Sequence, residues 1–456
     1  VTAMQDQSFR TMLARLDACG DLHTVRRTVD PRFELGAVMS LRRHGPAQLF
    51  ASVAGHAMRI AGNVMNARER VARLLGTDKA ALPGRLLAAL ASPVPPVLVE
   101  AAPVQAVVHR APLDLACLLP VPTWFEHETG PYITAGVIVA KDPETGRRNV
   151  SIARLRLDGG GRVMVGIARN HHLNVLAEKA RAQGESLPIA VAIGNHAAVL
   201  LGSQMYLGLG DDEYDIAGAL LGEPLQLVRC LTVPLEVPAG AEIVLEGAID
   251  AADLVAEGSV SEFHGFYVDY GPGTGGTIGC VTHRPDAVYQ AILPGYAPEH
   301  CLLGALAIEA VCCAALQRVI PAVRRVFVTD GGMGRLHAVI AMHRPRLGEG
   351  KRAVILAMGQ INLLKLVIVV EDDIDPEDAT QVEWSLAARF RGDEDLVVLP
   401  GLKADRCDPV HENLTVTKIG LVACTRPGDG ERGSRSEFAT APAEVLARVR
   451  AQLGDY

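Results

Sequence analysis

The chain has 456 residues, 49% of them hydrophobic and 21% charged, with a formal net charge of −8. That length exceeds one ordinary core, so two or three domains are expected, and the negative balance argues against a general binder of nucleic acid or of an anionic membrane. Nine cysteines at irregular spacing, with no C-x-x-C pair, support neither a zinc ribbon nor a thioredoxin-type site and read as small buried apolar residues of a reducing compartment. The first residues lack the basic head and apolar core of a signal peptide, and the apolar region 353–370 is interrupted by Gly359, Gln360, Asn362 and Lys365. No membrane span and a cytoplasmic location are therefore expected.

In chain order, residues 4–18 have helical spacing, with Phe9, Met12, Leu13 and Leu16 recurring at three and four. Thr24 to Val38 reads as a charged extended segment. A helix is expected from Asn63 onward, with Arg68, Arg70 and Arg73 on its polar side. The run Ala91-Ser-Pro-Val-Pro-Pro96 is the best domain boundary of the first half. From about residue 104 the texture changes to short β-type runs separated by turns, among them 104–109, 133–139, 163–167, 189–193, 225–228 and 242–247. One clear helix, Asn174–Gln183, interrupts them, closed by Gly184. Such a region suits a barrel-like or sandwich core. The stretch Asp269-Tyr-Gly-Pro-Gly-Thr-Gly-Gly276 reads as a flexible loop that could serve as a lid, although turns of this kind are commoner. Residues 302–319 form a long apolar helix, a buried connector. After it the rhythm is β-α-β: Val323–Val328, a helix around 348–360, Val367–Val370, and then Asp375-Pro-Glu-Asp378 capping a helix that runs to Ala388.

Four patches carry chemistry. Glu257-Gly-Ser-Val-Ser-Glu262-Phe-His-Gly265 sets two acids five apart in a loop or frayed strand end. Two such acids facing one cavity cannot both ionise freely, and one pKa is expected to rise; the plain alternative is two solvated glutamates. In Asn149-Val-Ser-Ile-Ala-Arg154, read as a short strand, an arginine sits on an otherwise apolar face, where a substrate carboxylate or a structural acid would pair with it. His171-His172 stands ahead of a helix and offers a metal ligand or a phosphate contact, against a structural role. Asp211-Asp-Glu213-Tyr-Asp opens a helix, which the helix dipole alone explains. With an imidazole and an amide oxygen, however, it would also suit a magnesium- or manganese-type ion.

In this order and spacing, Asn149–Arg154, His172, the D-E-Y-D-x-A-G-A-L-x-G run around Glu213 and E-G-x-x-x-E-x-H-G at 257–265 resemble the UbiD family of (de)carboxylases. The likeness continues through Val369-Val-Glu-Asp-Asp-Ile-Asp375 to Lys418 and covers roughly residues 104–425. It implies an α/β (α+β) protein: an N-terminal α/β region (1–103), a central split β-barrel-like cofactor domain (104–301), a linking helix (302–320) and a C-terminal α/β oligomerisation domain (321–456). It implies prenylated FMN as cofactor, contacted by Asn149, Ser151, Ile152, Ala153, Arg154, His171, His172, Ser203, Met205, Glu213 and Lys418. By the same likeness Asn149, His172 and Glu213 hold Mn2+ (or Mg2+) on the cofactor phosphate beside K+, with Ser203 and Met205 in the potassium region. Arg154, Glu257 and Glu262 match the catalytic set, and His171 and His300 match positions bordering the substrate. Near the C-terminus the chain reads Ala423-Cys-Thr425 where the family often has Asp-Ala-Thr.

The implied reaction is reversible, non-oxidative decarboxylation of an α,β-unsaturated or (hetero)aromatic acid, releasing CO2 through a covalent adduct with the cofactor. A flavin prenyltransferase would supply that cofactor, and a homodimer or homohexamer is expected. Side chains cannot stabilise the electrons left on carbon, so a cofactor must act as the sink. Arg154 would orient the carboxylate, Glu257 would order Arg154, and Glu262 would be the proton donor. The alternatives are a non-catalytic flavin-binding subunit of a carboxylase complex, which a broken catalytic set would favour, and a plain FMN oxidoreductase.

Overall fold

A computed structural model describes residues 6–425 and 439–455. Helix Phe9–Ala18 buries Phe9, Met12, Leu13 and Leu16 on one face, and Ser8 accepts the Thr11 N–H at its start. Residues 4 and 5 of the expected helix lie outside the described residues. The charged stretch from Thr24 to Val38 is extended only at its beginning. Leu22–Val25 pairs parallel with Ala47–Phe50, whereas Glu34–Leu41 is a helix. Leu35 and Met39, four apart and both buried, are the helical repeat that the surrounding charge obscured.

The helix expected from Asn63 onward begins at Arg68 and ends at Leu74. Arg68 and Arg70 do not lie on a solvated side. Arg68 grips Glu309 at two points (2.8 and 2.6 Å) and Arg70 grips Asp21 (2.9 and 2.6 Å), so both cations are buried against carboxylates. The Pro-rich run follows the end of helix Leu82–Ala91, and the next strand, Val97–Val99, pairs parallel with Gln226–Arg229. Conversely Val288–Ala291 joins Arg59–Gly62 in the N-terminal four-stranded sheet. The N-terminal and middle regions therefore share strands.

The middle region is built on nine strands in one antiparallel sheet. Their order is Tyr132–Ile133, Arg154–Leu157, Arg162–Gly166, Pro272–His283, Ile243–Ala256, Leu187–Ile193, Val137–Lys141 and Arg148–Ile152, with Val107–Arg110 paired to Pro272–His283. No pairing among the described residues closes the sheet into a barrel, and the fold as a whole is mixed α and β. Arg148–Ile152 and Arg154–Leu157 adjoin in sequence yet stand toward opposite ends of this order. The chain steps from one end to the other at Ala153, and residues 149–154 become a seam. The single strand expected over this stretch is thus two strands, and Arg154 belongs to the second.

The glycine-rich stretch is not a lid. Only 269–271 turn; from Pro272 the chain is a long strand paired with Ile243–Ala256. A Cβ at Gly273 would meet the Met164 sulfur at 2.3 Å and one at Gly276 the Ala248 carbonyl at 2.8 Å, so the glycines allow close ladder packing. The expected helix at 174–183 spans His172–Ala182. Besides the single turn Leu115–Leu118, this region also has the helices Ala197–Gly202 and Glu213–Leu221. The second was foreshadowed by its acidic start; the first is buried on every side and carries no amphipathic period.

Helix Pro298–Gln317 links the middle region to the C-terminal one. It is long and apolar enough to cross a membrane, but 83% of its apolar window is buried inside this fold, which marks it as a core helix. Beyond it lies a five-stranded sheet in the order Val323–Val328, His337–Met342, Leu366–Glu371, Thr415–Ala423, Leu396–Lys403. The parallel crossover runs from His337–Met342 through helix Glu349–Gln360 to Leu366–Glu371, and Val323–Val328 is its antiparallel neighbour. The β-α-β unit therefore starts one strand later than the sequence rhythm suggested. Asp378 caps helix Ala379–Arg389, its carboxylate accepting the Thr380 and Gln381 N–H groups.

Candidate active site

The seam opens onto two cavities. One, of about 330 Å3, is lined by Ile152, Ala153, Arg154, Glu262, Tyr270 and His300 among others. The second, of about 380 Å3, is lined by Asn149, Ser151, His172, Ser203, Met205 and Glu213. Ile152, His171, Gln204 and Leu363 line both, so one elongated ligand could run from the second into the first.

In the first cavity, Arg154 and Glu257 form a two-point ion pair, Nε–Oε1 at 2.5 Å and Nη2–Oε2 at 2.8 Å. The pair lies over Gly166, where a Cβ would stand 2.6 Å from Glu257 Oε1 and 2.9 Å from Arg154 Nε. Glu257 is fixed through its backbone as well. Its carbonyl accepts from Thr129 Oγ1 and from Arg156 Nη1, both at 2.6 Å, and Arg156 is itself held by Asp158. Gly258 follows at φ +72°, against the Thr129 methyl.

Glu262 sits at the start of the turn in the hairpin Val260–Ser261/Tyr267–Val268, 3.9 Å from Arg154 Nη1. Its oxygens accept from the Phe263 N–H and from the Tyr270 hydroxyl, each at 2.9 Å. The expected upward pKa shift is reversed. Burial raises it, but Arg154, with the Phe263 N–H and the Tyr270 hydroxyl, holds the carboxyl below its usual range. The two glutamates do not face one another, because Arg154 stands between them. His300 donates from Nδ1 to the Gly295 carbonyl at 3.0 Å, and burial and Arg335 lower its pKa, so Nε2 offers a lone pair to the cavity.

At the second cavity, Glu213 accepts from Asn149 Nδ2 (3.1 Å) and from the Val150 N–H (2.7 Å). Burial pushes its carboxyl up to about 8. Among the described residues Asn149 Oδ1 and Ser151 Oγ are buried without a partner. An amide oxygen, a carboxylate and the imidazole of His172, all lining this cavity, are donor types that suit a hard divalent cation. Such an ion would supply both the missing partner and the missing charge. His171 caps its helix, accepting the Leu173 N–H at Nδ1, and burial takes it down to about 4, so it is neutral.

Lys418 lines neither cavity. Its Nζ donates to the Asn362 carbonyl at 2.8 Å and approaches that of Met358 at 3.5 Å, so it ties down the 360–363 segment that does line the second one. Tyr270, Arg156, Thr129 and Arg335 escaped the sequence reading. Arg156 was within reach of it, because residues two apart on a strand share a face; Tyr270 was hidden in what looked like a loop.

Three family models match, all described under 3-octaprenyl-4-hydroxybenzoate carboxy-lyase. They are the N-terminal domain over residues 13–90, the Rift-related domain over 97–297 and the C-terminal domain over 301–423. The UbiD-class enzyme HmfF from Pelotomaculum thermopropionicum, solved with FMN, superposes with a TM-score of 0.91 at 37% identity, covering 98% of this chain and 99% of that one. An evolved dimeric form of the same enzyme, solved with prFMN, gives 0.88 at 37% identity over 97% and 98%. An anhydromevalonate phosphate decarboxylase from Methanothermobacter thermautotrophicus is 35% identical over 383 residues, 83% of this chain and 89% of that protein. The family models account for nearly the whole described chain, and the relatives share its length as well as its fold. The chain belongs to the UbiD family of prenylated-FMN-dependent decarboxylases, and it is a carboxy-lyase.

Proposed function

We propose that this enzyme catalyses reversible, non-oxidative loss of CO2 from an α,β-unsaturated or (hetero)aromatic carboxylic acid, with Arg154, Glu257 and Glu262 as its working set. The observation that carries the reading is the shared arginine: Arg154 is locked at two points by Glu257 and keeps Nη1 toward Glu262 and the cavity. Prenylated FMN, when bound, would supply the electron sink that no side chain can provide. Asn149, His172 and Glu213 would hold Mn2+ or Mg2+ at its phosphate end, with K+ near Ser203 and Met205.

The chain's own residues do the rest. Arg154 takes the substrate carboxylate on its free edge, and the bond to Glu257 keeps the guanidinium plane fixed. In the resting enzyme Glu262 is ionised. A substrate anion beside Arg154 competes for the charge that holds Glu262 down, so its pKa rises on binding and it takes up a proton. The Tyr270 hydroxyl keeps Oε2 oriented throughout. After CO2 leaves, Glu262 returns that proton to the α-carbon; in the reverse direction it removes it. Half-buried, neutral His300 and His171 would border the substrate and offer it a hydrogen-bonding edge without added charge.

Exchange of the α-hydrogen of the decarboxylated product in D2O tests this without reference to CO2. The wild-type holoenzyme is expected to wash deuterium into that position, and Glu262→Gln to lose the exchange with cofactor still bound. Undiminished exchange in the variant would remove Glu262 from the role.

A further inference from the structure

We infer that one wall of the first cavity is a second oxyanion subsite built on Arg335 with Arg406, so that the acid decarboxylated here carries a distal carboxylate or phosphate in addition to the carboxylate it loses. The inference rests on the decarboxylase reading and names the class of its substrate.

Among the described residues four arginines are at most 9% exposed: Arg68, Arg70, Arg156 and Arg335. The first three each hold a carboxylate, Glu309, Asp21 and Asp158. Arg335 holds none within 4.0 Å among the described residues. Its Nη1 donates to the Cys301 and Gly334 carbonyls (2.9 and 3.0 Å) and its Nη2 to the His300 carbonyl (3.3 Å). Backbone carbonyls orient a guanidinium but leave its charge uncompensated, and a buried uncompensated charge is costly. The fold nevertheless reserves space for it. Gly304 lies within helix Pro298–Gln317, where a glycine costs about 1 kcal/mol relative to alanine, and a Cβ there would fall 1.8–2.2 Å from three guanidinium atoms. Gly334, at φ +67°, brings the preceding loop onto the Cys301 carbonyl and so sets the arginine's approach.

A second cation faces the same space. Arg406 is half-buried, stacks on Tyr270 with its guanidinium carbon 4.2 Å from the ring centroid, and has no carboxylate within 4.0 Å among the described residues. The acids of this cavity are engaged elsewhere. Glu128 accepts from Ser261 and from the Trp124 and Phe125 N–H groups, Asp405 accepts from Cys407, and Glu262 serves Arg154 and Tyr270. Two guanidinium forks without an acid, in a cavity whose third arginine receives the reacting carboxylate, suit a substrate with two anionic ends.

The test uses holoenzyme and sets of enoic and heteroaromatic acids differing only in a distal hydrogen, carboxylate or phosphate. Wild type is expected to show a KM about ten- to a hundredfold lower for one of the dianionic members, the size expected of hydrogen bonds to a charged group. Whichever of carboxylate and phosphate is favoured identifies the group. Arg335→Gln should erase the difference by raising KM for the dianion while kcat holds, and Arg335→Lys should restore part of it; an unchanged flavin spectrum reports an intact fold. A wild type that prefers the monoanion, or an Arg335→Gln variant that weakens all members equally, overturns the subsite. If cofactor-loaded protein releases CO2 from no acid, the decarboxylase reading fails separately. Calorimetric titration with unreactive isophthalate then decides the subsite: saturable binding lost in Arg335→Gln supports it, and no binding overturns it.

Discussion

Arg154 meets two carboxylates on different terms, and the difference underlies the separate roles proposed for them. Glu257, almost fully buried, takes two of its nitrogens; Glu262 stands 3.9 Å from the third and keeps company with Tyr270. Glu257→Ala would leave the half-buried Arg154 guanidinium without its two-point partner, and a loss of about 2 kcal/mol in unfolding free energy is expected by denaturant titration, together with loss of turnover. Glu262→Gln keeps the shape and removes the proton, so turnover should fall by about 10^2- to 10^4-fold, the usual worth of a general acid, with the flavin spectrum unchanged. On the proposed proton-donor role the working form of Glu262 is the protonated one, so kcat should decline as pH rises through its pKa in the substrate complex. A kcat that climbs with pH across the same range would contradict the proton-donor role. That these three residues would come together was legible in the sequence, but the sign of the Glu262 shift was not. Two acids five apart suggest mutual repulsion; only the fold shows a guanidinium between them.

Elements, rather than single side chains, bring the set together. Arg154 opens a strand toward one end of the central sheet while Asn149 and Ser151 lie on the strand that closes its order at the other, and the step at Ala153 joins the walls of the two cavities. Strand alternation could place Asn149 and Ser151 on one face, but no local pattern marks a crossing between the two ends of a sheet. The same limit explains the misread glycine stretch: its glycines answer to Met164 and Ala248 across the ladder, which are distant in sequence. Lys418 acts at this scale too. Burial lowers its pKa from the ordinary 10.5 to about 8, so the unfolded chain binds that proton more readily than the folded one. Its contribution to stability is therefore fullest above pH 10.5, declines as pH falls, and is lost in full below about 8. Lys418→Met should flatten stability against pH between 8 and 10.5 in denaturant titrations, while loosening the 360–363 segment and weakening cofactor retention.

At the scale of the molecule, one buried helix, Pro298–Gln317, ties the three regions together. Its length and apolar character were plain in the sequence, and its neighbours were not. Glu309 pairs with Arg68 of the N-terminal region, Glu299 accepts the Met65 N–H, and His300 lines the cavity of the middle region. The C-terminal sheet leaves Leu396, Val398 and Ile419 partly exposed on its last two strands. A homodimer or homohexamer through this region is the assembly we expect, and light scattering on the purified protein should give a mass of at least twice that of the chain. The measurement that reaches the central claim most directly is native mass spectrometry with an absorbance spectrum, on protein co-expressed with a flavin prenyltransferase. The account predicts a bound species heavier than FMN by a prenyl-derived fragment, with a divalent metal attached. Plain FMN that turns over with NADH, or no flavin under conditions that load a known member of the family, would contradict it.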